Sequence, residues 1–209
     1  MSLAPFPPHF FDRLDASDDG DFYGEPRLVT HIDDATIAAL THVYREMLPA
    51  NAAVLDLMSS WVSHLPEDRP YGRVAGLGMN AHELERNPQL TDFVVHDLNA
   101  TPELPYPADT FDAVVNAVSV QYLTHPVEVF ASMRRVLAPS GIALVAISHR
   151  VFPTKAILGW QALDSASRVQ LVQWYFQLAG GWEAARVVDR SPAHADPLWV
   201  IFARRASGC

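Results

Sequence analysis

The chain has 209 residues, which is enough for one domain with a substantial core. Hydrophobic residues make up 49% of it and charged residues 19%, a balance typical of a globular protein and not of a disordered one. The formal net charge of -9 argues against a nucleic-acid partner, because phosphate contacts require a basic face.

The sequence also bears on the compartment. The single cysteine, Cys209, excludes an internal disulfide and fits a reducing compartment. The N-terminal residues lack the basic and apolar regions of a signal peptide, and no apolar run is long enough to cross a bilayer. We therefore expect a cytoplasmic protein without a membrane partner. No pattern indicates an oligomeric state.

The N-terminal quarter differs in composition from the remainder of the chain. Residues 1–27 are rich in proline, aspartate and aromatic side chains, which predicts an extended arm with little regular structure that packs on the body. Asp33 or Asp34 can cap a helix that runs to about Leu48, where Pro49 ends it.

Strands and helices alternate after residue 50. The predicted strands are 53–57, 73–77, 92–95, 111–118, 142–148, 185–189 and 198–203. The predicted helices are 81–86, 127–137 and 166–178, with a short helix or turn at 61–65. Residues 98–110 read as a long loop, and Pro139-Ser140-Gly141 as the turn before the fifth strand.

The strand patterns predict the type of sheet. Strands 53–57, 111–118 and 142–148 are near-continuous apolar runs, as expected for strands buried on both faces of a parallel sheet. The last two strands are joined by a loop too short for a crossover helix and should be antiparallel. The predicted fold is α/β: a doubly wound, mostly parallel seven-stranded sheet with an antiparallel terminal hairpin.

The turn after the first strand has the outline of a nucleotide-binding loop without its usual glycines. Asp56 is the one acidic residue of an apolar strand, and Met58, Ser59 and Ser60 follow it. In a glycine-rich loop, bare backbone lets a cofactor approach the N-terminus of the next helix. Trp61 could cover such a site or belong to the core.

Several motifs in order carry a family resemblance. They are residues 54–57, 74–80, 96–98, 104–114 and 133–141, of which Phe111-Asp112 and residues 135–141 are the most specific. Over roughly residues 50–205 the chain resembles the class I S-adenosylmethionine-dependent methyltransferases of the type 11 family. The resemblance implies a Rossmann-like fold, S-adenosylmethionine as cofactor and a small-molecule acceptor. It also implies a single domain, 1–209, in which residues 1–50 cover the cofactor crevice.

The resemblance implies cofactor contacts along one edge of the sheet. Asp97 would accept the adenine amine, and Leu98 would offer a backbone N–H to the ring. Gly78 stands where the family has an acidic residue for the ribose, so ribose binding would be weaker unless Asn80 or another group substitutes. The implied cofactor-binding residues are Asp56, Met58, Ser59, Ser60, Gly78, Met79, Asn80, Asp97, Leu98, Asn116 and Arg27.

Several of these residues also have a purely structural interpretation. Asp56 could instead bond the backbone of the turn, Ser59 and Ser60 could cap a short helix, and Arg27 could form a surface salt bridge. Asn116 lies at the end of the predicted strand 111–118, where doubly wound folds bind ligands, which favours a role in the site.

No catalytic residue can be assigned from a motif. His125 and His149 follow the fourth and fifth strands and could accept a proton, and Tyr23 belongs to the arm that would shape the pocket. The segment 151–156, with Trp160 and residues 174–176, would form a lid or pack on the sheet. The histidine spacing contains no metal-ligand motif.

Two other functions compete with methyl transfer. A degenerate member of the family, without the glycines and the ribose acid, would bind a ligand or a partner and transfer no methyl group. A nicotinamide-dependent reductase is disfavoured, because it would also require the glycine fingerprint that this chain lacks, and because the terminal hairpin favours a methyltransferase.

Overall fold

The computed structural model describes residues 6–207 and contains a seven-stranded sheet. Its strands are β1 (Ala53–Leu57), β2 (Arg73–Gly78), β3 (Asp92–Val95), β4 (Phe111–Ala117), β5 (Leu137–Ile147), β6 (Arg186–Asp189) and β7 (Trp199–Arg204). They lie in the order β3-β2-β1-β4-β5-β7-β6. Strands β1 to β5 are parallel, and β7 is antiparallel to both β5 and β6. Cys209 and the first five residues of the predicted arm lie outside the described residues.

Six α-helices accompany the sheet within residues 6–207. They are α1 (Asp19–Tyr23), α2 (Asp34–Met47), α3 (Ala81–Glu85), α4 (Pro126–Val136), α5 (Leu158–Ala162) and α6 (Ser165–Ala179). The predicted cap of α2 is Asp33, whose carboxylate accepts from the Thr36 backbone N–H. None of the described helices is long and apolar enough to cross a membrane.

Both faces of the sheet are covered, which explains the continuous apolar strands. Alternate residues of β1 point to opposite faces. Leu55 contributes to the core that α4 and α6 complete with Phe130 and Tyr175, and Val54 contributes to the core that α2 completes. The doubly wound α/β sheet with its terminal hairpin is therefore confirmed.

Two local predictions are wrong, whereas the arm has little regular structure, as predicted: Asp18 accepts from the Gly20 N–H and starts the five-residue helix α1. Residues 61–65 form neither the predicted helix nor a turn. The predicted turn at Pro139-Ser140-Gly141 lies inside β5, which begins at Leu137.

The irregularity inside β5 has a clear register. Phe111 pairs with Leu137, but Ala113 pairs with Ile142, so β5 has several more residues than β4 between the two pairs. Ser140 takes a left-handed backbone with φ of 62°. The residues predicted as a turn therefore shift the register of β5 against β4, and they do not form a loop between α4 and β5.

Candidate functional site

A cavity of about 390 Å³ opens where β1, β2 and β4 end. The carboxyl ends of parallel strands are where doubly wound folds bind ligands. Strand-end loops contribute Asp56, Met58, Ser59, Ser60, Gly78, Met79, Asn80, Asp97, Leu98 and Ser119 to its lining. The arm contributes Asp19, Tyr23, Arg27 and His31, and the segment after β5 contributes Arg150, Val151 and Phe152.

The loop after β1 crosses the end of β2. Met58 takes a left-handed backbone with φ of 59°, a conformation that costs a non-glycine residue about 1–3 kcal/mol. The Ser59 N–H then donates to the Leu77 carbonyl at 2.8 Å. A Cβ atom on Gly78 would lie 2.2 Å from the Ser59 carbonyl oxygen. Residue 78 must therefore be glycine in this conformation, and no acidic side chain has room there.

Side chains replace the helix that was expected after this loop. The Asn87 amide donates to the Ser60 carbonyl at 3.0 Å and to the Ser63 hydroxyl at 2.8 Å. Gln89 bonds both the N–H and the carbonyl of Leu65. Because these side chains take backbone groups that a helix would have paired, the chain stays irregular here. Ser59 and Ser60 thus cap no helix, and no helix N-terminus follows the loop.

Asp56 is the buried carboxyl beneath the loop. It accepts from the Ser59 hydroxyl at 2.5 Å. Burial raises the pKa of Asp56 to about 6, although hydrogen bonds from Ser59 and Ser63 oppose the rise. Asp56 thus bonds a side chain of the turn and not its backbone, and it also lines the cavity.

Asn80 and Glu83 connect α3 to the arm. The Asn80 amide donates both its hydrogens, to the carbonyls of Tyr23 and Gly24, each at 2.9 Å, and its oxygen accepts from the Glu83 N–H. Glu83 accepts from the Arg27 backbone N–H at 2.6 Å and from the Ser60 hydroxyl at 2.5 Å. Sequence reasoning missed Glu83, because its partners are 56 and 23 residues away.

Two further predicted residues lie near the ends of β3 and β4: Asp97 follows β3, and Asn116 belongs to β4. Asp97 lines the cavity, and its Oδ1 accepts from the Asn99 N–H at 2.8 Å, which shapes the turn after β3. Asn116 is buried and does not line the cavity. Its amide donates to the Leu57 carbonyl and the Ser119 hydroxyl, while its oxygen has no partner among the described residues.

A buried charged cluster anchors the arm. Asp19 accepts from Arg13 at 2.6 Å and from the Asn99 amide at 2.8 Å, and it lies 3.2 Å from the Nζ of the fully buried Lys155. Burial raises the pKa of Asp19, but the hydrogen bonds from Arg13 and Asn99 outweigh it, so the pKa is lowered. The predicted lid segment therefore supplies a core residue, Lys155, that holds the arm.

Aromatic side chains and Arg27 line the arm's side of the cavity. The Arg27 guanidinium lies 4.5 Å from the centre of the Phe22 ring and donates to the Phe22 carbonyl. The Phe152 ring centre is 5.7 Å from that of Phe22 and 5.9 Å from that of Tyr122. Arg27 forms no salt bridge within residues 6–207, so its cation remains available to a ligand.

Only one of the three candidate catalytic residues lines the cavity. Tyr23 lines the cavity, and burial raises the pKa of its hydroxyl. His125 and His149 are exposed and do not line it. His125 bonds the Thr124 hydroxyl, and His149 lies 3.2 Å from Asp196.

Three other histidines line the cavity: His31, His64 and His96. Burial lowers the pKa of His64 to about 4 and also lowers that of His31, so both are neutral near pH 7. Only the tertiary structure places them beside the ligand cavity. In the described part of the chain, no group of three or more His, Cys, Asp or Glu side chains could hold a metal ion.

Comparisons with known proteins agree with this architecture. A family model described as "Methyltransferase domain" matches residues 60–145. No curated protein sequence matches the chain.

Solved structures share the fold at low sequence identity. A chain from a complex that contains the Haloferax volcanii Trm112 methyltransferase activator superposes with a TM-score of 0.64 and 16% identity, over 84% of this chain and 92% of that one. The [4+2]-cyclase SpnF gives a TM-score of 0.61 and 16% identity, over 90% and 92%. An S-adenosylmethionine-dependent methyltransferase from Mesorhizobium loti gives 0.57 and 18%, over 82% and 100%.

The matched segment, residues 60–145, runs from the loop after β1 into β5 and includes most strand-end loops of the cavity. The strand order of the sheet extends the likeness beyond that segment. Over residues 60–145 the chain is therefore similar to the methyltransferase domain of this family, and its fold is that of solved S-adenosylmethionine-dependent methyltransferases.

Proposed function

We propose that the protein transfers a methyl group from S-adenosylmethionine to a small-molecule acceptor. The observation that carries this proposal is the cavity at the carboxyl ends of β1, β2 and β4, of which the family model matches the loops after β2, β3 and β4. Its volume of about 390 Å³ lies in the usual range for ligand pockets.

The side chains around the cavity fit the chemistry of this cofactor. Asp97 and the backbone of Leu98 would bind the adenine, and Arg27 would pair with the carboxylate of the methionine portion. When bound, the cofactor would supply a methyl group on its sulfonium: the acceptor's lone pair would bond the methyl carbon in line with the breaking sulfur–methyl bond, whose electron pair would stay on the sulfur of S-adenosylhomocysteine. The chain's own contribution is to align the acceptor and to exclude water, for which Tyr23 and Phe152 form an apolar wall.

Enclosure by the arm favours a small acceptor. Residues of the arm and of the segment after β5 line the cavity on the side away from the sheet. Among structural neighbours, the trans-methyltransferase CalH in complex with SAH has a TM-score of 0.58 at 14% identity, over 80% of this chain and 55% of that one.

One set of observations favours a second function, in which the cavity binds a ligand without methyl transfer. The Ser59 carbonyl fills the space beside Gly78, and the segment between β1 and β2 contains no helix. A structural neighbour is named a cyclase and not a methyltransferase, which shows that this architecture accommodates other chemistry.

A binding and turnover experiment separates the two functions. Millimolar S-adenosylmethionine or S-adenosylhomocysteine should raise the melting temperature by about 5–10 °C if it exceeds Kd a hundredfold. ATP serves as the control nucleotide and should give no shift. No shift with either cofactor form would exclude tight cofactor binding. A shift without label transfer from methyl-tritiated cofactor to any of a panel of small nucleophiles would favour the second function.

A further inference from the structure

Two positions near the end of β2 do not supply the two acceptor atoms that a vicinal diol needs. Gly78 has no side chain, and the Ser59 carbonyl oxygen lies where any Cβ would be placed. Asn80 lines the cavity, but the arm's carbonyls take both of its amide hydrogens, and its single oxygen already accepts from the Glu83 N–H. A carboxylate that binds a vicinal diol must therefore come from elsewhere in the cavity wall.

Three other carboxyls of the cavity have roles that conflict with binding a diol. Asp19 is paired with Arg13, Lys155 and Asn99. Asp56 is buried and bonded to Ser59. Asp97 accepts with its Oδ1 from the turn after β3, and the proposed function assigns this side chain to the adenine amine.

Glu83 is the remaining carboxylate of the wall. It is half-buried on α3, one turn beyond Asn80, and it lines the cavity. Its Oε1 accepts one hydrogen bond from the backbone N–H of Arg27, and its Oε2 accepts one from the hydroxyl of Ser60. Because an ionised carboxylate has about four acceptor sites, each oxygen keeps one for a ligand. Glu83 belongs to no salt bridge within residues 6–207.

We propose that Glu83 accepts hydrogen bonds from the ribose hydroxyls of S-adenosylmethionine. This inference rests on the proposed function, since it takes that cofactor as the ligand. It places the diol contact on α3 and not at the end of β2. Glu83 also accepts hydrogen bonds from Arg27 of the arm and from Ser60 of the loop after β1. The ribose would therefore lie where the arm, this loop and α3 meet.

The test compares Glu83→Gln with Glu85→Gln, an equal change at an exposed position of the same helix. Titration calorimetry measures the affinity of each protein for S-adenosylhomocysteine and for its 2′,3′-dideoxy analogue. The wild type and Glu85→Gln should prefer the diol by about 10- to 100-fold, the value of hydrogen bonds to a charged group. Glu83→Gln should lose that preference and bind the dideoxy analogue as the wild type does.

The other outcomes overturn the inference in distinguishable ways. If Glu83→Gln lowers the affinity for both ligands by the same factor, Glu83 acts only by holding Ser60 and the arm, and the proposed ribose contact is wrong. If Glu83→Gln keeps the preference for the diol, Glu83 does not bind the ribose, although the cofactor still binds. If the wild type binds neither ligand, the proposed function fails together with the inference. Matching urea midpoints of the unliganded variants show that both are folded.

Discussion

At the scale of single residues, burial changes the protonation of Asp56. The side chain is 3% exposed, and burial raises its pKa from the usual 3.8 to about 6. The folded chain therefore binds this proton more tightly than the unfolded chain. The stabilisation is complete below about pH 4 and is lost as the pH rises through about 6.

We expect Asp56→Asn to remove this pH dependence. The amide stays uncharged and its oxygen can still accept from Ser59. Relative to the variant, the wild type should lose roughly 3 kcal/mol of unfolding free energy between pH 4 and pH 7. Urea unfolding at several pH values measures the difference. Glu128→Gln changes an exposed carboxyl and should follow the wild type. Parallel curves for the wild type and Asp56→Asn would contradict the predicted pKa effect.

Met58 and Gly78 together explain why the loop after β1 departs from a glycine-rich pattern. Met58 adopts the left-handed backbone that glycine usually supplies, and Gly78 supplies the close approach that Ser59 needs. Glycine is thus required on β2 and not in the loop. From the sequence alone, Gly78 looked like the loss of an acidic residue, because the crossing of the two strand ends is visible only in three dimensions.

At the scale of elements, the arm depends on Asp19. Its carboxylate joins Arg13 of the arm to the buried Lys155 and to Asn99 after β3. Removing one partner of a buried ion pair leaves uncompensated charge and costs about 3–5 kcal/mol. We expect Asp19→Ala to lower the unfolding free energy by this amount and to speed proteolysis of residues 13–33.

Asp21→Ala is the matched control for this change. Asp21 lies on the same short helix and is exposed. Surface changes of this kind usually alter stability by no more than about 0.5 kcal/mol. If Asp19→Ala and Asp21→Ala have equal midpoints in urea and equal digestion rates, the cluster does not hold the arm.

The elements differ in how far the sequence predicts them, for physical reasons. Strands β1 and β3 were predicted at their observed bounds, because burial and flanking turns mark them in the sequence. Helix α2 was predicted from its Asp33 cap and its apolar face. The short helices α1 and α5 have five residues each, too few for a helical period to appear.

The candidate site was less predictable than the fold. Strand-end residues such as Asp97 were placed at the crevice, because parallel strands end at one edge of the sheet. His125 and His149 follow strands too, but they lie outside the cavity. His64 and Glu83 line it through long-range packing, and no local pattern marks them. The role of each residue in binding remains a prediction.

At the scale of the whole molecule, one cavity joins segments that are distant in sequence. The arm, the loop after β1, the start of α3 and the segment after β5 all contribute to its wall. Helix α6 contributes no lining residue and packs on the sheet with α4. A ligand that binds only the folded, closed arrangement must suppress the local openings of every segment that it contacts.

Hydrogen exchange tests this coupling in the unmodified protein. With saturating S-adenosylhomocysteine, we expect slower exchange in residues 19–32, 58–64, 79–83 and 150–152 together. Exchange within α6, Ser165–Ala179, should change little, because its local openings leave the cavity wall intact. Protection limited to residues 96–99 would mean that the ligand binds the sheet edge alone and leaves the arm uncoupled. Joint protection is expected because the hydrogen bonds of Asn80 and Glu83 already hold the arm at Tyr23, Gly24 and Arg27 against the wall of the cavity.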